Sequence, residues 1–179
     1  MKLYHFTSTA HLPWIIDSGE LRPGRNRIGG FPDPDFLWAT VQERGDRTAS
    51  VWGDPYRAGH TWAVRFTIDH LDFVRWANVP GLFPQWTADH VTRLEAAAKG
   101  KSDPREWYCR VAPLPLACVQ AIEVKPYSRT AWKPVEPEVT TLWQPNGKCL
   151  GMEIEGAAFW SRMTVGPQGQ DAYEIGRQP

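Results

Sequence analysis

Proline and glycine interrupt this chain so often that long helices have almost nowhere to form. There are 16 prolines and 15 glycines in 179 residues. Such punctuation predicts many turns, short elements and few long helices. The apolar pattern agrees. In HTWAVRFTI (60–68), Trp62, Val64, Phe66 and Ile68 alternate onto one face, the period of a half-buried strand. Further strands are predicted at KLYHFT (2–7), FLWATV (36–41), REWYCRV (105–111), near 117–125, and at AAFWSRMTV. VTTLWQPNGKCLGMEIEG reads as a β-hairpin turning at Pro145-Asn146-Gly147. Two helices stand out. One follows Thr9, taken as its N-cap, buries Leu12, Ile15 and Ile16, carries Pro13 in its first turn and stops at Gly19. The other, HVTRLEAAAKG, is introduced by Thr87 and closed by Gly100. A short polar helix is expected over GDRTASVW, a surface loop over 22–35, irregular Trp-rich structure over 69–86, and a loose tail after Val165. The expected class is α+β.

A chain of 179 residues is long enough for one domain with a real core. The core is expected over 1–125, with 126–179 as an extension. Twenty basic and 20 acidic side chains cancel, which does not advertise extensive polyanion coating. Cys109, Cys118 and Cys149 are odd in number and widely spaced, against a disulfide framework or a Cys-rich zinc site. His60, His70 and His90 lack metal-ligand spacing, so no metal is expected. No secretory signal and no run of about 18 apolar residues is visible, so the expectation is a cytoplasmic protein without a membrane span. No Walker loop, GxGxxG or GxSxG appears.

Three segments carry the candidate chemistry in order: LYHFTS with its helix and SGELRPG, then FLWAT with ASVWG, then REWYC leading to QAIEV. This order resembles the ADP-ribosyltransferase superfamily, and the opening resembles its DarT-like branch. The likeness covers roughly residues 3–125. It implies a split β-sheet core, NAD as substrate, and release of nicotinamide as ADP-ribose moves to an acceptor. His5 matches a first-strand histidine that bonds a ribose hydroxyl, with Phe6 and Thr7 beside it in the motif. Ala39 and Thr40 match residues bordering the nicotinamide pocket. Trp52 lies near the nicotinamide-stacking position, with Tyr56 as its rival. Arg22, Arg25 and Arg27 fall where cations meet the pyrophosphate. Glu106 matches the catalytic glutamate. Pro104, two residues earlier, departs from the Gln or Glu of arginine-modifying enzymes.

The reaction itself calls for these types. Cleaving the nicotinamide–ribose bond develops positive charge on the sugar, which a fixed carboxylate stabilises. A cationic flat ring suits an aromatic wall, and a pyrophosphate suits arginine forks. Each residue also has a plainer reading. His5 fits a structural histidine, Glu106 a solvated charge, Trp38 and Trp52 core, the arginines a solvated loop, and Thr40 strand filler; Glu123 competes with Glu106. A nucleic-acid base, in single-stranded DNA or RNA, is the favoured acceptor, and the tryptophans of 69–86 are expected to stack on it. Protein and water are alternatives, as is a non-catalytic module of the same fold that binds NAD, ADP-ribose or a protein. A toxin role with an antitoxin partner belongs to the DarT-like resemblance.

Overall fold

The computed structural model describes residues 1–24, 30–69, 72–144, 147–165 and 171–176. Among them the chain is mixed, mostly sheet with short helices, in agreement with α+β. In chain order the elements are β1 (Lys2–Ser8), α1 (Leu12–Ser18), β2 (Glu20–Leu21), β3 (Leu37–Thr40), α2 (Asp54–Arg57), β4 (Ala63–Asp69) and β5 (Val74–Arg75). Then follow α3 (Val79–Leu82), α4 (Ala88–Ala98), β6 (Trp107–Arg110), β7 (Leu114–Pro115), β8 (Val119–Lys125) and β9 (Lys133–Pro134). β10 (Thr140–Gln144), β11 (Gly147–Ile154), β12 (Ala157–Val165) and β13 (Asp171–Gly176) complete the chain.

The main sheet runs β5-β6-β3-β1-β4-β8-β9 and its neighbours are antiparallel. β1 pairs with β4 along its whole length, from Lys2 opposite Asp69 to Ser8 opposite Ala63. On its other side it meets β3 only where Tyr4 faces Thr40. The sheet therefore holds together at one point between β1 and β3 and opens beyond it.

Strand alternation sorts the side chains. Leu3, His5 and Thr7 share a face with Val64, Phe66 and Ile68 of β4. That face packs the largest core, with Ile15 and Ile16 of α1 and Trp62 against it, as the sequence predicts. Met152, Ile154 and Phe159 enter the same core, so the last third of the chain is built into it and is not an appendage. Tyr4 and Phe6 point to the opposite face, among Val51, Tyr56 and Ala63.

α1 ends at Gly19 with φ 73°, the left-handed cap that glycine adopts freely. Its start differs from the expectation. His11 occupies the N-cap position, while the buried Thr9 hydroxyl accepts from the Trp62 amide at 3.0 Å and ties α1 to β4. α4 begins at Thr87 as expected, with His90 completing a capping box.

Four expectations are corrected. GDRTASVW forms turns and a 3-10 turn at Ser50–Trp52, not a helix, because the Asp46 carboxylate captures the Thr48 amide; the helix comes later, at Asp54–Arg57. Segment 69–86 contains β5 and α3, and its tryptophans are core: Trp76 is 1% and Trp86 3% exposed. They pack with Phe36, Trp107 and Trp38, so they offer no open rings for bases to stack on. Arg105 and Glu106 lie in a 3-10 turn that precedes β6. The tail is not loose throughout, since Asp171–Gly176 forms β13 against β12. The predicted hairpin is thus part of a four-stranded sheet, β10-β11-β12-β13. Its strands end at Gln144 and restart at Gly147; Pro145 and Asn146 of the expected turn lie outside the described residues.

Candidate functional site

His5 stands where β1 and β3 separate. Its Nδ1 lies 2.7 Å from the Trp38 carbonyl oxygen. A carbonyl only accepts, so Nδ1 carries the proton and donates. Burial lowers the imidazole pKa below its ordinary value, partly countered by this bond. The ring is therefore neutral near pH 7, and Nε2 is left as an acceptor. The half-buried ring bridges two strands by a side chain where backbone pairing has stopped.

Two residues along, the Thr7 hydroxyl and His11 Nδ1 are hydrogen-bonded at 2.7 Å. Burial, and secondarily His5, push the His11 imidazole down to about 4. Tyr173 of β13 packs edge-on against His11, with centroids 4.2 Å apart. Trp14 Nε1 donates to Ser161 Oγ at 2.9 Å. The terminal sheet thus packs on α1 and on His11. His11 was missed in the sequence because a helix-start histidine gives no periodic signal.

Glu106 lies on the far side of β3. Thr40 faces Tyr4 on one side and Trp107 on the other. Continuing both registers by one residue sets His5 opposite Ala39 and Glu106 opposite Val41. The bond from the Val41 amide to the Glu106 carbonyl, 3.3 Å, agrees. Strand spacing and rise then separate the two backbones by roughly 12 Å. The Glu106 carboxylate accepts from Gln42 Nε2 at 2.5 Å and is otherwise half open to solvent.

The segments holding Gln42 and Glu106 are joined by Asp46, a carboxylate only 7% exposed. Its Oδ1 accepts from the Thr48 amide at 2.8 Å and from Thr48 Oγ1 at 2.5 Å. Its Oδ2 accepts from Ser102 Oγ at 2.5 Å and from Trp107 Nε1 at 3.1 Å. Its backbone carbonyl takes Trp52 Nε1 at 2.5 Å. Nothing local in GDRT announces a buried carboxylate; two of its donors, Ser102 and Trp107, arrive from distant sequence.

The other predicted residues divide. Ala39 is on the His5 face and Thr40 on the Tyr4 face, both buried. Phe6 packs against Trp52, centroids 6.1 Å apart, so Trp52 stands on the face that His5 does not share. Alternation along β1 puts Phe6 on that face, and the 3-10 turn bearing Trp52 packs against it, so Trp52 is corrected from a partner of His5 to a wall of the Phe6 cluster. Its rival Tyr56 is buried in that same cluster. Arg22 donates to Glu20 at 2.6 Å on the surface. Arg25 and Arg27 lie outside the described residues, as does His70.

Glu123 is engaged elsewhere. Arg65, 5% exposed, donates to its Oε2 from Nε at 2.9 Å and from an Nη at 2.6 Å. The same guanidinium lies over Tyr4 and Trp132, 5.2 and 4.8 Å from their centroids. Glu123 is a structural counter-charge rather than a rival to Glu106. Cys109 and Cys149 are buried and Cys118 exposed, with no disulfide; burial pushes the Cys109 thiol up to about 12, which keeps it inert.

No cluster of His, Cys, Asp and Glu among the described residues has the makings of a metal site. No helix among them is long and apolar enough to cross a membrane. No protein-family model matches the chain, and no curated protein or solved structure matches it either.

Proposed function

We propose that the protein is an NAD-dependent ADP-ribosyltransferase of the DarT-like kind, with a nucleic-acid base as the favoured acceptor. One observation carries the reading. Three short motifs, far apart in sequence, form the adjacent strands β1, β3 and β6, and bring His5 and Glu106 to either side of one strand.

In this reading the neutral His5 accepts a ribose hydroxyl at Nε2 while its Nδ1–H is anchored to Trp38. Glu106 stabilises the positive charge that develops as the nicotinamide bond lengthens, and takes the proton of the incoming nucleophile. Gln42, by donating to Glu106, fixes the carboxylate in one orientation. Trp52 has no part in holding the nicotinamide beside His5.

The test uses labelled NAD with single-stranded DNA, single-stranded RNA and protein as acceptors, comparing wild type with Glu106→Gln. The expected result is label transfer to a nucleic acid, reduced about a hundredfold or more in the variant, with its melting temperature unchanged. Nicotinamide released without transfer makes water the acceptor. Wild-type protein that neither consumes nor binds NAD overturns the proposal.

A further inference from the structure

The edges of the two larger sheets are protected unequally. In the main sheet, β9 is two residues long and consists of Lys133 and Pro134, a charge and a residue without an amide donor. β5, at the opposite edge, is also two residues and carries Arg75. In the terminal sheet, β13 carries Glu174, paired with Arg162. Such short, charged or proline-bearing edges discourage pairing with another chain. β10 has none of these devices. It is five residues, TTLWQ, without charge or proline, and β11 is its neighbour on one side only. Thr140 and Thr141 are exposed, and Trp143 is 79% exposed, the most open of the large apolar side chains described.

We infer that β10 is a docking edge for a second copy of this chain, pairing antiparallel with its own counterpart about a two-fold axis at Leu142.

The sequence of the strand is complementary to itself in this register. With Leu142 opposite the partner's Leu142, Trp143 comes opposite the partner's Thr141, and Thr141 opposite the partner's Trp143. These are aromatic–β-branched pairs, a favourable cross-strand combination. Trp143 and the partner's Trp143 then lie diagonally on the same face, within reach of each other as large rings are. No like charges meet within the strand, and the formal net charge of zero removes long-range repulsion between copies. A two-fold contact closes on itself, so it yields a dimer and not a fibre. The product is one continuous sheet of eight strands. A five-residue edge buries less than the ~1,200 Å² of an ordinary stable interface, so the dimer is a weak one. This inference is independent of the proposed chemistry.

The test is sedimentation equilibrium of the full chain from about 10 μM to 1 mM. Wild type is expected to shift from monomer towards dimer across that range. Trp143→Lys, at an exposed position, is expected to stay monomeric with unchanged circular dichroism and melting temperature. In a Cys118→Ser background, Leu142→Cys is expected to give one symmetric disulfide-linked dimer on mild oxidation, because the two Cα atoms then face each other. A wild type that remains monomeric to 1 mM overturns the inference. So does equal dimerisation by Trp143→Lys, or the absence of a residue-142 cross-link at concentrations where wild type dimerises. If Trp143→Lys disturbs the fold, the cross-link alone decides.

Discussion

Removing the Asp46 carboxylate should damage both stability and the proposed site. In Asp46→Ala four donors lose their acceptor: the Thr48 amide, Thr48 Oγ1, Ser102 Oγ and Trp107 Nε1. They are not equal. Thr48 is exposed, so its hydroxyl can turn to water. Trp107 Nε1 keeps a 2.7 Å bond to Ser102 Oγ. The main losses are one backbone amide and the Ser102–Trp107 pair, at about 1.5–3 kcal/mol for each bond to a charged group. Together they come to about 3–6 kcal/mol, a large share of a typical domain's stability. For a chain of this size that lowers the melting temperature by roughly 10 °C. Asp46→Asn keeps one acceptor oxygen and should cost roughly half as much. The assay is urea unfolding followed by tryptophan fluorescence. Asp46 also bridges the segment leaving Gln42 and the one arriving at Glu106. Nicotinamide release by Asp46→Ala should therefore fall even at temperatures well below its melting point, with Asp46→Asn between it and wild type. A loss of less than about 1 kcal/mol in Asp46→Ala would refute the reasoning, because the carboxylate would then not be the acceptor that joins these segments.

Two further outcomes are expected. Folding holds the His11 imidazole near 4, below its ordinary 6.5. The unfolded chain thus binds the extra proton first, and stability falls as pH drops from about 6.5 to about 4, by up to about 3 kcal/mol. His11→Asn should reduce the slope of urea midpoints across that window, leaving the part contributed by the likewise lowered His5; a slope unchanged from wild type would assign the pH dependence elsewhere. Glu123→Ala leaves the buried Arg65 guanidinium only the Glu43 carbonyl and the more distant Glu43 carboxylate and should cost up to about 3–5 kcal/mol, whereas Arg65→Met combined with Glu123→Leu should cost clearly less. A double variant as unstable as the single one, in the same urea assay, would contradict the account of this pair.

Features that depend on near neighbours were legible before any folding. The alternation of Val64, Phe66 and Ile68 decides which face of β4 joins the largest core, because side chains on a strand must alternate. Gly19 stops α1, Thr87 starts α4, and Pro13 sits where a helix has no use for its missing donor. The strands bearing His5, Ala39 and Trp107 were legible for the same reason. Which residues meet across the chain is a matter of how the strands and turns pack. A tryptophan looks alike in sequence whether it is core or surface; Trp76 is enclosed by Trp38, Trp86 and Trp107, while Trp143 stands open to solvent. Asp46 became a buried hub because Ser102 and Trp107 come to it from more than fifty residues away. Trp52 went to the Phe6 face because the 3-10 turn that bears it packs there, and β13 exists because β12 offers it a ladder. Local preference is a property of a few bonds and is written in a few residues. A partner brought in by folding is a property of the register between strands, which is settled only when the whole apolar core closes.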